Sequence, residues 1–463
     1  MAIRDSVFRK IQDITGKKYI SRQKEDLLCY AYDATGIRFL PDAVVFPESE
    51  QEVSKILALA SREKIIIVPR GAGSGMTGGS VPVNGGLVIV FSRMNNIIKI
   101  DENNFIAKVQ PGVIVSDLHD LVEEKGLFYP PDPSSSSICT IGGTVGECAG
   151  GPRAVKYGVT RDYILGLRAV TASGDIIKTG VVTAKGVAGY DLTRLIVGSE
   201  GTLALVTEIT LKLLPKPATV RTMIALFDSI STAAATVSGI IRKGTVPRCI
   251  EYLDEACLGL VRDQIRDQAG LELPKNAKAL LIIEVDGDGA IVEKDSKDIK
   301  ELCLSLGAQE VRIAQTTMEA QILWQARKAL SPALFKIAPH KINEDIVVPI
   351  DKIPDMVAET QNIRKKYNLN LVTFGHAGDG NIHCNIMYDK KDEEARKKVE
   401  EAVDELFMAT LSLGGTITGE HGVGITKKKF LPLEINKTEM ELMKGIKKVF
   451  DPLNILNPGK IFS

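Results

Sequence analysis

The chain has 463 residues, of which 44% are hydrophobic and 25% are charged. A chain of this length is too long for a single hydrophobic core, so we expect two or three domains of ordinary globular character. Lysine plus arginine and aspartate plus glutamate each number 58, so net charge provides no attraction to nucleic acid or to an anionic membrane.

The cysteines and the N-terminus indicate a reducing compartment. No pair has C-x-x-C spacing, which argues against an iron–sulfur cluster or a zinc ribbon. Seven dispersed cysteines suit the cytoplasm. The opening MAIRDSVFRKIQDITGKK has no apolar signal-peptide core, and no apolar run approaches membrane-spanning length. We therefore expect a cytoplasmic protein without an integral membrane segment, and peripheral attachment through a partner stays open.

The first half of the chain predicts short strands, helices and glycine-rich loops. AVVF, a helix opened by the capping box Ser49 to Glu52, and IIIVP form one strand–helix–strand unit. A second unit joins the strand FIAKVQPG to a helix from Ser116 to Glu124. Glycine-rich loops are predicted over 70–86 and 142–151. This α+β pattern lacks the regular alternation of a doubly wound sheet.

The run LLPKPATV at 213–220 predicts a domain boundary, because its two prolines end a strand and the pattern changes after it. From 221 to 400 strand-like segments alternate with long helical ones, which predicts a ferredoxin-like or related α+β second domain. Further helices are predicted near 393–413 and 437–449.

The first glycine-rich loop is a candidate phosphate site. Its run RGAGSGMTGG, residues 70–79, follows a predicted strand. Glycines let successive backbone N–H groups converge on an anion. A plain flexible loop explains this run equally well when it is taken alone. A Rossmann motif requires a helix directly after the glycines, whereas the next segment here is the strand LVIVF. We favour a nest of amides that binds a pyrophosphate without a helix dipole.

Three later segments are also rich in glycine or proline: YPPDPS with TIGG, AGGPR with KYG, and GSEGTL. Together with the first loop they suit a long ligand that extends across one domain. The alternative is a set of tight turns in a small β-rich domain.

The run GHAGDGNIHCN, residues 375–385, predicts a β-hairpin with Asp379 and Gly380 at its turn. His376 then faces His383, with Cβ atoms roughly 5 Å apart, so that both imidazoles can bind one ion. A pair of histidines on a polar sheet face is the alternative. Glu420, in TGEHGVG, adds a carboxylate and gives a three-ligand set for Zn, Fe or Mn with open positions.

The runs PRGAGSGMTGG, PPDPSSSSICTIGG and VGSEGTLALVTEITLKLLP resemble the FAD-binding domain of the vanillyl-alcohol oxidase/p-cresol methylhydroxylase flavoproteins. The resemblance extends through the second half to the branch that oxidises D-2-hydroxy acids, which includes D-lactate dehydrogenases and the glycolate oxidase flavin subunit. It implies an α+β fold with a two-subdomain FAD-binding domain at 1–218 and a ferredoxin-like substrate (cap) domain at 219–405. A C-terminal helical segment at 406–463 would complete the active site and pack on the FAD domain.

The resemblance also implies the FAD contacts. The pyrophosphate would be bound by backbone amides of Arg70, Gly71, Ala72, Gly73, Ser74, Gly75, Thr77 and Gly78. Further flavin contacts are expected from Pro131, Asp132, Gly142, Gly143, Cys148, Gly150, Gly151, Tyr157, Gly158, Glu200, Gly201, Val206 and Asn381. Cys148 stands where many relatives have asparagine. The first loop has no His or Cys for covalent attachment, so we expect non-covalent FAD.

The same resemblance implies roles in catalysis. His376, His383 and Glu420 match the metal ligands, and His421 matches the catalytic base. Arg327 resembles the arginine that binds the substrate carboxylate, with a surface helix residue as the alternative. Ser331 and Asn381 are further candidates near the substrate, and Lys341 is a weaker one because its spacing differs from the family pattern.

The function implied is FAD-dependent oxidation of a D-2-hydroxy acid to the 2-oxo acid, in which His421 takes the hydroxyl proton and the hydride passes to flavin N5. We expect a separate electron acceptor: an electron-transfer flavoprotein, an iron–sulfur subunit or a quinone. A homodimer or a subunit of a larger complex is expected. A metal-dependent hydrolase using the same ligand set is the alternative from another class. A scaffold protein with a vestigial site, a UDP-N-acetylmuramate-forming reductase and a nicotinamide dehydrogenase are less favoured.

Overall fold

The computed structural model describes residues 3–183, 185–270 and 272–462. The described helices are α1 Asp5–Thr15, α2 Lys24–Cys29, α3 Glu50–Glu63, α4 Val115–Glu124, α5 Ile141–Glu147, α6 Ala154–Tyr157, α7 Leu192–Ile196, α8 Ile230–Arg242, α9 Glu255–Ala269, α10 Gly289–Ser305, α11 Thr317–Ala333, α12 Ile353–Tyr367, α13 Glu393–Ser412, α14 Leu431–Glu434 and α15 Lys437–Phe450.

The described strands are β1 Ile20–Ser21, β2 Ala43–Val45, β3 Ile67–Arg70, β4 Leu87–Val90, β5 Ile97–Asp101, β6 Ile106–Val109, β7 Leu127–Phe128, β8 Ile164–Val170, β9 Ile176–Gly180, β10 Leu205–Lys212, β11 Leu214–Pro215, β12 Thr219–Phe227, β13 Cys249–Asp254, β14 Ala279–Gly287, β15 Glu310–Ile313, β16 His340–Val347, β17 Asn370–His376 and β18 Asn381–Tyr388.

The chain folds into two compact units, each built from separate stretches of sequence. Unit 1 contains the described residues up to Gly150, Val159–Lys216 and those from Glu420 onward. Unit 2 contains Gly151–Gly158 and Pro217–Gly419. The three domain bounds predicted from the sequence remain predictions.

Unit 1 contains a four-stranded sheet in the order β1-β2-β4-β3, in which β2, β3 and β4 are parallel. Helices α1 and α3 bury their apolar faces on it. The capping residue Ser49 accepts the amide of Glu52 at 3.3 Å and begins α3 where the sequence predicts it. Ile455 and Leu456 lie in the same core, so the C-terminal stretch completes this sheet layer. A second, antiparallel sheet has the order β5-β6-β10-β8-β9.

Unit 2 is built on a seven-stranded antiparallel sheet in the order β15-β12-β14-β13-β17-β18-β16. Its first four strands have the arrangement of a ferredoxin-like sheet, with the fourth strand beside the first and the third between the first and second. The α+β prediction with a ferredoxin-like second domain is confirmed. Strands β17, β18 and β16 widen this sheet and contain the candidate metal histidines.

Helices α9 and α11 cover one face of the sheet in unit 2. Leu258 and Val261 of α9 and Leu323 and Leu330 of α11 pack in a cluster with sheet residues such as Phe374. The sheet residues of this cluster alternate along each strand, as expected for one covered face. Both candidate metal histidines lie on the same face as Phe374. His376 is two residues from Phe374 along the strand, and His383 is the cross-strand partner of Phe374.

Candidate active site

The first glycine-rich loop begins where β3 ends, and the side chain of Arg70 packs against it. Arg70 is buried and donates to the backbone oxygen of Tyr32 at 2.7 Å. A Cβ on Gly73 would lie 2.1 Å from the same guanidinium, and Gly73 has a φ of +74°. Glycine is therefore required at 73 by both space and backbone conformation. The guanidinium of Arg70 thus packs against the loop, and the backbone amides of the loop remain available to bind a ligand.

The amides of this loop fit an anionic group. Those of Ala72, Gly73, Ser74 and Gly75 donate no hydrogen bond to any group within the described parts of the chain. The nearest heavy atom to a Cβ on Gly75 would be Oε1 of Glu147 at 3.9 Å, an ordinary van der Waals contact, so this position is not tightly packed. Successive unused N–H groups in a glycine-rich loop are the arrangement that binds a pyrophosphate.

A helix begins beside the loop. Thr140 caps α5 by accepting the amide of Gly143 at 3.1 Å. A Cβ on Gly71 would lie 2.4 Å from Oγ1 of Thr140, so the loop and the amino end of α5 are in contact. The interpretation of 142–151 as a loop is therefore wrong over 142–147, which belong to α5. Gly142 disfavours a helix locally, but a Cβ there would lie 2.5 Å from Pro111, so packing requires glycine and the helix forms around it. The amides of Ile141, Gly142 and Gly143 already donate within the protein, so α5 contacts the loop without adding a free amide.

The part of the turn that belongs to unit 1, residues 420–424, is hydrogen-bonded to the rest of that unit. The backbone oxygen of His421 accepts the hydroxyl of Thr77 at 3.0 Å. Glu200 accepts the amides of Val423 and Gly424. His421 Nε2 lies 4.0 Å from the carboxylate of Glu420. The candidate base is therefore attached to the end of the glycine-rich loop that would bind the cofactor.

Glu200 is a buried carboxyl group in a conformation unusual for glutamate, with a φ of +51°. Burial raises its pKa to about 7, although the amides of Val423 and Gly424 and the cations of Lys460 and Lys427 oppose the rise. Burial also lowers the pKa of Lys460 to about 8. Titratable groups with strongly shifted pKa values cluster at functional sites.

The two candidate metal histidines lie together, although the hairpin differs from the prediction. His383 pairs with Phe374, and a short 3-10 turn spans Ala377–Asp379. The register is therefore shifted by two residues from the predicted pairing of His376 with His383. An even shift keeps both side chains on one face. Their ring centroids are 5.2 Å apart, and a ligand nitrogen of one lies within 4.8 Å of a ligand nitrogen of the other.

His376 is held by a buried carboxylate that the sequence analysis missed. Nδ1 of His376 donates to Oε1 of Glu251 at 2.5 Å. Oε2 of Glu251 accepts Nε of Arg327 at 2.6 Å. The guanidinium of Arg327 lies 4.6 Å from the ring centroid of Phe374. Arg327 is thus buried beside the candidate metal histidines, and the surface-residue alternative is wrong.

The signal for Glu251 was available in the strand CIEYLD. An isolated acid in a buried strand costs free energy unless it is paired, so it predicts a buried partner. The sequence could not name that partner, because His376 lies 125 residues further along the chain.

Other candidates in unit 2 have hydrogen-bond partners of their own. Asn381 is buried and donates to the backbone oxygen of Ile346 at 3.0 Å. Ser331 accepts a hydrogen bond from Lys341 at 2.7 Å, and burial lowers the pKa of Lys341. The hydroxyl of Tyr157, a predicted flavin contact, donates to Asp286 at 2.8 Å.

Glu420 follows Gly419, the residue at which unit 2 ends. The amide of Gly419 donates to the backbone oxygen of Asp345 at 2.9 Å. Asp345 pairs directly with His383 across β16 and β18. The backbone therefore leaves unit 2 at the strand next to the candidate metal histidines.

The candidate site residues divide between the two units. Unit 1 contains Arg70 to Gly75, Thr77, Gly78, Pro131, Asp132, Gly142, Gly143, Cys148, Gly150, Glu200, Gly201, Val206, Glu420 and His421. Unit 2 contains Gly151, Tyr157, Gly158, Arg327, Ser331, His376, Asn381 and His383. Candidate cofactor contacts thus predominate in unit 1 and candidate metal and substrate contacts in unit 2.

Two family models match most of the chain. The C-terminal domain of FAD-linked oxidases matches residues 216–461, and an FAD-binding domain matches residues 41–180. The chain therefore belongs to the family of FAD-linked oxidases and is an oxidoreductase. The metal-dependent hydrolase alternative is not supported.

Two relatives named after oxidation of small hydroxy acids match nearly the whole chain. The "Glycolate oxidase subunit GlcD" of Bacillus subtilis is 48% identical, over 100% of this chain and 97% of its own length. The "D-lactate dehydrogenase" of Anaerostipes hadrus is 36% identical, over 91% of this chain and 89% of its own length.

A solved structure shares the fold. p-Cresol methylhydroxylase is 18% identical with a TM-score of 0.81, covering 99% of this chain and 97% of the other. The predicted p-cresol methylhydroxylase type of fold is confirmed. Among the helices described, none combines the length and the apolar composition needed to cross a membrane.

Proposed function

We propose that the chain oxidises a D-2-hydroxy acid, such as D-lactate or glycolate, to the 2-oxo acid, with non-covalent FAD as the oxidant. The observation that carries this proposal is the buried pair His376 and His383 beside Arg327, in a chain that belongs to the FAD-linked oxidases. Ligands for a metal next to a cation suit a substrate that bears a hydroxyl and a carboxylate. The names of the relatives support the same substrate class.

The FAD pyrophosphate would be bound by the amides of Ala72 to Gly75. Two observations support this fit: these amides donate no hydrogen bond within the described residues, and a Cβ on Gly75 would meet only one atom within 4 Å. When bound, FAD accepts the hydride from the substrate carbon, and the protein supplies orientation and electrostatics. Thr77 and Gly78 would continue the same loop.

A divalent metal, Zn, Fe or Mn, would be bound by His376, His383 and Glu420. The two ring nitrogens lie close enough to share an ion, and the hydrogen bond to Glu251 fixes Nδ1 of His376. Glu420 is included because the backbone leaves unit 2 beside His383 and because a carboxylate completes a common three-ligand set. A metal there would acidify the substrate hydroxyl.

The remaining roles belong to this chain's own side chains. Arg327 would bind the substrate carboxylate with its terminal nitrogens, which make no hydrogen bond to any residue that the structure describes. His421 would take the hydroxyl proton, since its turn is attached at Thr77 and Glu200 and is rigid at its base. Ser331 and Asn381 would contact the substrate as well.

We further propose that the electrons leave through a separate acceptor, either a quinone or a protein such as an electron-transfer flavoprotein or an iron–sulfur subunit. The dispersed cysteines support this, because no pair in the sequence has cluster spacing. A relative named as a subunit supports assembly into a complex. A cytoplasmic location, with attachment to a membrane only through such a partner, is part of the same proposal.

The test is the visible spectrum of the purified protein, recorded anaerobically after D-lactate, glycolate and D-2-hydroxyglutarate are added in turn. Flavin bands that bleach with one acid would support the reaction and identify the substrate. Flavin that stays in the supernatant after acid precipitation would support non-covalent binding. Flavin bands that bleach with none of these acids would contradict the proposed substrate class, and a protein that binds no FAD would contradict the whole proposal.

A further inference from the structure

We propose that Glu251 is a positioning residue that orients a metal ligand and the substrate arginine with one carboxylate. The inference rests on the proposed function, since it assigns His376 to a metal and Arg327 to the substrate. Glu251 itself would contact neither the metal nor the substrate.

Both oxygens of Glu251 are used, and each is used by a different functional side chain. Oε1 accepts Nδ1 of His376 at 2.5 Å, and Oε2 accepts Nε of Arg327 at 2.6 Å. The side chains of Glu251 and His376 are 1% and 4% exposed, so water does not compete for these hydrogen bonds. Strand pairing also fixes the geometry, because Glu251 is the direct cross-strand partner of His376.

The carboxylate selects one tautomer of His376. Glu251 also accepts from Arg327, which can only donate, and this neighbouring cation favours a carboxylate that accepts at both oxygens. Nδ1 of His376 must then hold the proton, and Nε2 is left with the lone pair that a metal needs. His376 can therefore bind a metal without first changing its tautomer or turning its ring.

The same carboxylate holds the plane of Arg327. Nε is bound to Glu251, and the guanidinium lies 4.6 Å from the ring centroid of Phe374. Because Glu251 holds Nε and the ring of Phe374 packs against the guanidinium, the terminal nitrogens of Arg327 have little rotational freedom. A planar, pre-oriented fork binds a carboxylate at a small cost in conformational entropy. The distance between the metal ligand and the carboxylate-binding fork is thereby set by a single side chain.

A purely structural role for Glu251 would be to hold α11 on the sheet. Glu284 provides the comparison for that role. It lies on the neighbouring strand β14 and accepts Nε1 of Trp324, also on α11, at 2.6 Å. The same oxygen accepts Thr222 at 2.6 Å, and the other oxygen lies 3.5 Å from Nε of Arg248. Glu284→Gln therefore neutralises a buried carboxylate that contacts α11, and it leaves both hydrogen bonds of Glu251 in place.

The experiment uses FAD-loaded protein that has been stripped with a chelator and dialysed against Zn²⁺. In Glu251→Gln the amide cannot accept from both donors, so one partner loses its orientation. We expect the Kd for Zn²⁺ to rise about 10- to 100-fold, the usual effect of losing a carboxylate behind a metal histidine. We also expect a higher KM for the hydroxy acid, with flavin absorbance unchanged. Glu251→Asp, which keeps the charge, should bind Zn²⁺ with intermediate affinity.

The outcomes separate the inference from the proposed function. Wild-type affinity for Zn²⁺ in Glu251→Gln, or an equal loss in Glu284→Gln, would overturn the positioning role while the proposed function stands. A wild-type protein that binds no Zn²⁺ and keeps full activity after chelation would overturn the metal site itself. If Glu251→Gln does not fold, Glu251→Asp decides, and wild-type affinity in that folded variant overturns the role.

Discussion

The carboxylate of Glu200 accepts the backbone N–H of Val423 at 2.7 Å, a contact between positions 223 residues apart in the chain. It accepts the next amide, that of Gly424, at 2.8 Å. One buried carboxyl group therefore attaches the turn of the candidate base His421 to the segment GSEGTL. Its ionisation state matters for the stability of unit 1.

We expect Glu200 to make the stability of unit 1 depend on pH. Burial raises its pKa from 4.5 to about 7, so the folded state favours the protonated form. Its favourable contribution is full below the unfolded pKa and is lost as the pH rises through about 7. Glu200→Gln removes this titration. The free energy of unfolding of the wild type minus that of Glu200→Gln should therefore fall between pH 5 and pH 8, by an amount on the order of 3 kcal/mol.

Denaturant unfolding followed by flavin fluorescence at several pH values measures this difference. A lost hydrogen bond in the variant adds only a constant offset, so the slope with pH is the informative quantity. A difference that does not change with pH would show that Glu200 does not titrate in this range.

His421→Ala should lower turnover by about 10²- to 10⁴-fold, the usual contribution of a general base. Flavin content should stay at the wild-type level, because Thr77 contacts the backbone oxygen of His421, which the substitution keeps. His340→Ala is the matched control, since His340 pairs with Asp389 at the opposite end of β16 from the candidate site. This variant should have normal turnover. Near-normal turnover in His421→Ala would remove His421 from its role as base.

Removal of the metal should abolish oxidation of the hydroxy acid and leave the flavin bound. Two of the three candidate ligands, His376 and His383, belong to unit 2, whereas the loop proposed for the FAD pyrophosphate belongs to unit 1. Dialysis against a chelator, then readdition of Zn²⁺ or Mn²⁺, should lower and restore turnover while the visible spectrum stays constant. Loss of flavin together with the metal would contradict this separation.

Two glycines of the first loop should respond differently to alanine. Gly75 has no positive φ, and a Cβ there would make one ordinary van der Waals contact, so Gly75→Ala should fold normally. Its methyl group would project beside the amides, and we expect FAD to bind about tenfold more weakly or worse, a loss of about 1.4 kcal/mol. Gly73→Ala combines a φ of +74° with a clash against Arg70, and should destabilise the protein by about 1–3 kcal/mol.

Titration of apo-protein with FAD and thermal melting distinguish these two effects. Equal FAD affinity in Gly75→Ala and the wild type would place the pyrophosphate elsewhere. An unchanged melting temperature in Gly73→Ala would mean that the loop can rearrange around Arg70.

The hairpin of His376 and His383 shows why part of the candidate site could be predicted. The register was wrong by two residues, yet both side chains still share a face, because the period of a strand is two. The α5 prediction failed for the opposite reason. The glycines at 142 and 143 indicate a loop locally, but the close packing of Gly142 on Pro111 requires glycine there, and the helix forms around it. Local propensity is a weak prior where packing decides.

The sequence by itself determined which chemical groups are present, their order and their local geometry: loops rich in free amides, two histidines on one strand face, and an acid followed by a histidine in a glycine-rich turn. Only the tertiary structure decided that Glu251 lies between His376 and Arg327, and that Glu200 accepts the amide of Val423. These partners lie far apart in the chain. Their meeting depends on which strands become neighbours in a sheet, and that choice is made by burial of the whole apolar surface, which no short stretch of sequence contains.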